Sequence, residues 1–409
     1  MQQEMIERIE KNIHAEIARF DRGEHPVDFP PLPEIPAGRY VDPDFFALEQ
    51  QNIWSKSWLF AGHVDELPGK GDFKLWRDAG SPIVIIRDQS GEIKGFFNTC
   101  RHRGGPLVRE DHGTTKSLLC KYHCWNFDLD GRLLYVPDEH EFPGLDKSAH
   151  GLIPVKIALW GNWIFANLDP DAGPLDEYLG PLRQEMDDLG PDRLRLVEKH
   201  SFDIACNWKV AVDAFQEVYH LKHIHPATVH AALDHRGASM TLYSGGHSRM
   251  IVPHRDGSAA RPSEKSDGTV RTSAPEHRIT SSTSRAYNIF PNMVTPTAEF
   301  EWPSLIFWPT SIRTCRMDVW WWGQSDDCDP TTELWQTRLT NFDTILGEDM
   351  ENLGWVQESM ETPGFTGVPL SYQERRIYNF HEAVDEMIGA DLIPRDQAVP
   401  KLMNPFIET

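Results

Sequence analysis

The chain has 409 residues, 40% of them hydrophobic and 25% charged, with a formal net charge of −22. This is the balance of a globular protein with room for two domains, and it excludes a nucleic-acid binder, which needs a basic stripe. No run of about 18 apolar residues occurs, so neither a membrane-spanning helix nor a membrane partner is expected.

The opening stretch MQQEMIERIEKNIHAEIARF reads as an amphipathic helix over 1–22, with Met5, Ile9, Ile13, Ile17 and Phe20 at helical spacing. It lacks an apolar signal region behind a basic end, so a cytoplasmic location is expected. The proline-rich connector PVDFPPLPEIPAGRY (26–40) cannot be helix and marks a boundary. From about 40 to 155, short segments bounded by turns (SWLFAGHV, DFKLW, PIVIIRD, GEIKGFFNT) are read as strands joined by hairpins. Past PVKIALWGNWIFANLDP (154–170) helical stretches and longer strands follow, among them TCRMDVWWWGQ (314–324). The polar stretch 253–284 reads as a long loop, a lid or plain disorder, and 331–390 as helical. The expected division is 1–40 arm, 41–156 first domain and 157–409 second domain.

The six cysteines are Cys100, Cys120, Cys124, Cys206, Cys315 and Cys328. Without a signal peptide they are expected to be reduced. NTCRHRGGPLV (98–108) pairs Cys100 with His102, and LLCKYHCWNFDLDG (118–131) pairs Cys120 with His123, with 17 residues between the pairs. Zinc accepts two cysteines and two histidines, but zinc fingers group their cysteines in one pair and their histidines in another. One thiolate and one imidazole per loop is what a [2Fe–2S] cluster with unequal irons requires. Gly104 and Gly105 let the backbone pass close to inorganic sulfur. Cys124 is read as a small buried residue and Trp125 as packing over the cluster loop.

In CNWKVAVDAFQEVYHLKHIHPATVH (206–230), Asp213, Glu217 and His220 are spaced to share one helical face. Pro226 biases His225 out of the helix, so His225 should curl back towards His220. Two histidines need a carboxylate to complete a facial triad for Fe(II). Asp349 interrupts the apolar stripe Ile345, Leu353, Val356 in TILGEDMENLGWVQESM (344–360), and is the third candidate. Glu348 and Glu351 fall on other faces and are read as solvated. His223 is read as structural, pointing away from the iron, and His63 also as structural. Ala214, Leu221 and Ile345 are placed to line a substrate cavity or to be ordinary core. Trp320–Trp322 reads as a core strand rather than an aromatic cage for a cation.

The pattern C-x-H-x17-C-x2-H resembles the Rieske motif, and Glu217-x2-His220-x4-His225 is similar to the acid-x2-His-x4-His motif of Rieske non-haem iron oxygenase catalytic (alpha) subunits. The preceding NWK and the ED-x7-Q around Asp349 and Gln357 match too. The chain departs at Cys124, where the family usually has glycine, and at Glu217, where aspartate is commoner. The resemblance implies an α+β fold, a Rieske β-domain followed by a helix-grip (START-like) catalytic domain with an antiparallel sheet. It implies [2Fe–2S] ligation by Cys100, His102, Cys120 and His123, and Fe(II) ligation by His220, His225 and Asp349. It also implies subunits arranged head to tail, as a homotrimer or a trimer with a small beta subunit. Glu217 would then bridge His220 to the neighbour's His123, with Asp213 close to the iron as a second supporting acid.

By the same resemblance, electrons reach the chain from NAD(P)H through a separate reductase, with or without a ferredoxin, and O2 is co-substrate. No G-x-G-x-x-G signature is present. The expected activity is hydroxylation of an aromatic substrate, with cis-dihydroxylation favoured. Monooxygenation or oxidative demethylation of a non-aromatic or quaternary-ammonium substrate is the alternative. A Rieske electron carrier without enzymatic activity and a structural zinc protein are the rivals of other classes. The acidic surface suits a basic redox partner, or simply solubility.

Overall fold

The structure is a computed structural model that describes residues 3–187, 189–255, 265–269, 282–297, 301–324 and 326–408. Most of the expected 253–284 loop lies outside the described residues. The chain packs as two compact units, Trp54–Leu175 and Met1–Ile53 with Asp176–Thr409. Among the described residues no helix is long and apolar enough to cross a membrane.

The smaller unit is all β. Its strands are β1 Leu59–His63, β2 Asp72–Trp76, β3 Ile83–Arg87, β4 Ile93–Phe97, β5 His112–Thr114, β6 Leu118–Leu119, β7 Asn126–Phe127, β8 Leu133–Tyr135, β9 Pro154–Trp160 and β10 Trp163–Asn167. Seven form one sheet in the order β1-β10-β9-β4-β3-β2-β5, and β6-β7-β8 form a small second sheet. Branched side chains make β3 a strand, and Ile83, Val84, Ile85 and Ile86 are buried on both faces. One core joins Phe73, Val84, Ile86, Phe96, Leu118, Trp125 and Phe127 with Cys100 and Cys120, so the cluster loops are anchored in it. Two of its edges differ from the boundaries at 41 and 157 read from the sequence. β10 lies past the expected end, yet it pairs with both β9 and β1, and a sheet cannot be divided between those partners. His63 caps the turn after β1, its Nδ1 accepting from Asp65 N at 3.2 Å.

In the larger unit the helices include α1 Gln3–Asp21, α2 Pro43–Asn52, α3 Pro181–Asp187, α4 Trp208–Ala214, α5 Leu221–Ile224, α6 Glu333–Met360 and α7 Arg375–Ile388. Besides a short pair, Ile35–Pro36 with Gly367–Val368, its strands are β11 Leu194–Ile204, β12 Ser239–Tyr243, β13 Ser248–Pro253, β14 Thr283–Ile289, β15 Met293–Thr297, β16 Trp302–Ser311, β17 Thr314–Gln324 and β18 Ile407–Glu408. Strands β11 to β18 form one sheet in the order β11-β17-β16-β15-β14-β13-β12-β18, antiparallel except for the β12–β18 pair. The fold is α+β, as expected from the sequence.

Alternation along the strands gives this sheet two distinct faces. Met250, Val252 and Ala286 pack with Val218 and Leu221 on one face. Ile251 packs with Ile6, Ile9 and Ile13 of α1 on the other. The tryptophan run obeys the same rule: Trp320 and Trp322 stack at 5.8 Å, while Trp321 meets Trp335 and Phe342 of α6. It is a core strand.

His247, just before β13, is buried; its Nε2 donates to Tyr178 O at 2.8 Å and its Nδ1 accepts from Phe290 N at 3.0 Å. Both bonds fix the neutral ring, and burial pushes its pKa down to about 4. A depressed imidazole stabilises the fold above the unfolded pKa, and that contribution is lost as pH falls from about 6.5 towards about 4. Denaturant titrations at the two ends of this window should differ by up to about 3 kcal/mol from this group. In His247→Asn, which takes up no proton, that part of the slope should vanish.

Candidate metal centres

Cys100 and His102 sit in the tight loop after β4, closed by Cys100 N to Gly105 O at 2.8 Å and Gly104 N to Cys100 O at 3.0 Å. Buried Asn98 braces the loop, its Oδ1 accepting from Leu107 N and Val108 N at 2.9 and 3.0 Å. Cys120 and His123 sit in the matching loop between β6 and β7, closed by Cys120 N to Trp125 O at 3.0 Å. The loops bring His102 and His123 to 4.6 Å between ring centroids, and Trp125 stacks on His102 at 4.9 Å.

Cys100 and Cys120 are buried and free of disulfides, with their thiols adjacent. Burial raises the Cys100 thiol to about 11, against the His102 and Arg103 amides that point at its sulfur. Two adjacent buried thiolates are costly unless a cation lies between them. Burial, then His123, lowers the pKa of His102, which keeps the neutral ring that a metal ligand needs. Its Nδ1 is buried with no hydrogen-bond partner among the described residues. A Cβ on Gly105 would lie 3.0 Å from Cys120 Sγ, so glycine keeps the sulfur's surroundings open. This orphaned nitrogen, the paired thiols and the glycine cradle fit a cluster bound by two sulfurs and two imidazoles. Cys124 needs correction: it is exposed and has φ 58°, a left-handed turn, which explains the family's preference for glycine there.

The second centre begins at α4. Asn207 caps it through Lys209 N at 3.0 Å, and Asn207 N donates to Gln357 Oε1 of α6 at 2.7 Å. The NWK and ED-x7-Q motifs therefore meet in space. Lys209 Nζ lies 2.5 Å from Glu49 Oε1 of α2, both fully buried, and Trp208 Nε1 donates to the other Glu49 oxygen at 2.9 Å.

The single helical face expected for Asp213, Glu217 and His220 is not found. α4 ends at Ala214, and the chain stays irregular until α5 starts at Leu221. Glu217 Oε2 accepts from the backbone N–H of Tyr219 and His220, donors that a continuing helix would have spent on its own carbonyls. Glu217 Oε1 hydrogen-bonds His220 Nδ1. Asp213 faces elsewhere: its Oδ2 accepts from the Tyr40 hydroxyl at 2.7 Å and lies 3.3 Å from His381 Nε2. Asp213 is thus tied to a buried network, with Arg39 and Asp385 beyond His381.

His220, His225 and Asp349 converge, with one ligand atom from each within 4.8 Å of the others. Asp349 Oδ1 lies 2.9 Å from His225 Nε2 and 3.6 Å from His220 Nε2. Both rings turn Nε2 inward because their Nδ1 atoms are occupied. Glu217 holds one, and Glu348 Oε2 lies 2.6 Å from the other. Burial alone would lower both imidazoles, but Glu217 raises His220, and Asp349, then Glu348, raise His225. Two neutral imidazoles and one carboxylate with backing acids suit Fe(II). The acids then orient the rings and strengthen them as ligands.

Glu348 was read as solvated and needs correction. Besides His225, its Oε2 accepts from Thr228 Oγ1 at 2.7 Å. Helix periodicity could not find it, because its partners come from the irregular chain after α5. The buried face of α6 is Leu346, Asp349, Leu353 and Gln357, whereas Val356, placed on the stripe from the sequence, is exposed. Glu348→Gln should lower affinity for the mononuclear metal by about 10–100-fold, as calorimetric titration would measure. Exposed Glu351 serves as the neutral control. His223 is exposed as well.

These groups lie on the wall of a cavity of about 230 Å³. Ala214, Leu221 and Ile345 line it, together with Phe215, Leu305 and Phe342. Four of its lining residues carry the site, Glu217, His220, His225 and Asp349, and most of the rest are apolar.

Residues 57–150 match the family described as the Rieske [2Fe-2S] domain, and residues 191–390 the family described as the ring hydroxylating alpha subunit (catalytic domain). The chain is 38% identical over 189 residues to the biphenyl 2,3-dioxygenase subunit alpha of Rhodococcus jostii RHA1, covering 44% of this chain and 41% of that one. It is 31% identical over 221 residues to the glycine betaine monooxygenase oxygenase subunit of Chromohalobacter salexigens, covering 54% and 48%. The matched stretches thus span less than half of these curated relatives. Among solved structures, the quaternary ammonium Rieske monooxygenase CntA superposes with a TM-score of 0.74 at 20% identity, covering 90% of this chain and 99% of that one. At that identity the likeness shows the fold.

Proposed function

Because the chain belongs to the Rieske oxygenases with a ring-hydroxylating alpha-subunit catalytic domain, we propose that it is a terminal oxygenase component that hydroxylates a neutral, apolar substrate, an arene by preference. The observation that carries this reading is the convergence of His220, His225 and Asp349 on the wall of an apolar cavity.

Cys100, His102, Cys120 and His123 would hold the cluster, and His220, His225 and Asp349 the mononuclear iron. When bound, the cluster supplies electrons received from an NAD(P)H-dependent reductase, directly or through a ferredoxin, and the iron supplies activation of O2. The apolar lining excludes water and orients a flat, uncharged molecule by contact rather than by hydrogen bonds. Glu217 holds His220 through Nδ1, and Glu348 holds His225 in the same way. In a head-to-tail trimer, Glu217 would link His220 to the neighbour's His123. Asp213 acts at a distance, by anchoring the end of α4 to Tyr40 and His381.

A second reading is kept because of the glycine betaine relative. Phe215 and Phe342 beside the acids of the cavity wall offer a place for a quaternary ammonium group. One screen separates the readings: NADH consumption with a compatible reductase, tested on neutral arenes and on quaternary ammonium compounds under isotopically labelled dioxygen. Label in the arene product is expected. Coupled turnover confined to the ammonium compounds would decide for the second reading, and no label in any product against both.

A further inference from the structure

The face of the catalytic sheet turned away from the cavity carries a cluster that the proposed chemistry does not use. Residues directly opposite in antiparallel strands project to the same face. Arg285 of β14 is opposite Ile251 and Thr297, and Tyr287 is opposite Arg249 and Thr295. Ile251 packs on α1, so this row looks away from the cavity, whose lining Arg285 joins between Ser284 and Ala286. Thr295 Oγ1 and Ser304 Oγ are 3.0 Å apart, which puts Ser304, and Trp302 two residues before it, on the same face.

Arg285 is only 3% exposed, and Tyr287, Thr297 and Trp302 are buried too. Among the described residues, Nε and Nη2 of Arg285, Oγ1 of Thr297 and Nε1 of Trp302 have no hydrogen-bond partner, and the Tyr287 hydroxyl has none besides Arg285. All of these groups can donate. Glu185, the acid near Tyr287, is already engaged by the Tyr243 hydroxyl and by Arg249. Burial raises the Tyr287 phenol, and the neighbouring Arg285 works against that rise, so the two groups lie close together. Among the described residues Arg285 has no ion-pair partner, and a buried guanidinium without a counter-charge is strongly unfavourable.

We propose that Arg285, Tyr287, Thr297 and Trp302 form a binding site for a small inorganic anion on the face of the sheet opposite the cavity. The donors come from neighbouring strands, whose facing side chains start roughly 5 Å apart, a spacing suited to a shared ion and not to an organic ligand. Ser284 and Ala286, on either side of Arg285, line the cavity, so the ion braces a strand of the cavity wall.

Crystals of the holoprotein soaked in sodium bromide test this. An anomalous peak is expected within hydrogen-bonding distance of the Arg285 guanidinium. It should lose occupancy in Thr297→Val, which keeps the shape and removes one donor, and disappear in Arg285→Met while surface bromides remain. No peak there in the wild type, when surface positions are filled, would overturn the site, as would a peak that persists in Arg285→Met. If Arg285→Met does not fold, the wild-type and Thr297→Val crystals still decide. A wild-type site holding ordered water with no anomalous signal counts against the proposal.

Discussion

Asp349→Ala is expected to strip the mononuclear metal from the protein and to lower turnover by more than about 100-fold, beyond what loss of an outer acid costs. The carboxylate is buried, and its Oδ1 faces the inward nitrogens of both His225 and His220. Without it the site keeps two imidazoles and no anionic ligand, and Fe(II) favours two histidines with one carboxylate. The cluster's absorption and paramagnetic signal should be unchanged, because its four proposed ligands belong to the other compact unit, Trp54–Leu175. Asp349→Asn adds a useful contrast: it keeps the shape, loses the charge, and should retain only weak metal binding. Full metal content and turnover in Asp349→Ala would remove this residue from the site.

Glu217→Gln should leave both metal sites loaded and slow electron transfer between them by about 10–100-fold, the range for outer acids that orient histidine ligands. Its two carboxylate oxygens do different work. One holds His220 Nδ1, and the other accepts from the Tyr219 and His220 amides and thereby sets the irregular turn. All three partners donate and glutamine has one acceptor oxygen, so with that oxygen on the amides the turn should survive while the hold on His220 Nδ1 is lost. The negative charge that supports His220 is lost. Rapid mixing of the reduced protein with substrate and oxygen reads the effect as slower reoxidation of the cluster. Glu217→Asp keeps the charge on a shorter arm and should fall between the two. An unchanged single-turnover rate in Glu217→Gln would end the assignment of Glu217 as the link.

Much of this was legible in the sequence, and the failures share a cause. Strands such as β3 announced themselves through branched residues, and α1 through its isoleucine spacing. His220, His225 and Asp349 could be singled out because pairs of histidines and a buried acid on an apolar stripe are chemically costly without a partner. Periodicity failed where side chains take over backbone hydrogen bonds. Glu217 captures two amides and ends the helical path, so the face assumed for Asp213 never forms. Glu348 escaped because its role depends on His225 and Thr228, more than a hundred residues away in the chain. Tyr40 and His381, which receive Asp213, carry no local signal for the same reason. Cys124 was misplaced because burial was inferred from its residue type, whereas the turn conformation decides its exposure.

Nitric oxide added to the anaerobically reduced holoprotein, followed by electron paramagnetic resonance, is the most direct test of the pairing of two iron centres on one chain. A high-spin iron–nitrosyl signal should appear beside the signal of the reduced cluster, and iron analysis should find one more iron than the cluster holds. A sample in which every iron belongs to the cluster, and in which nitric oxide produces no such signal, would contradict it.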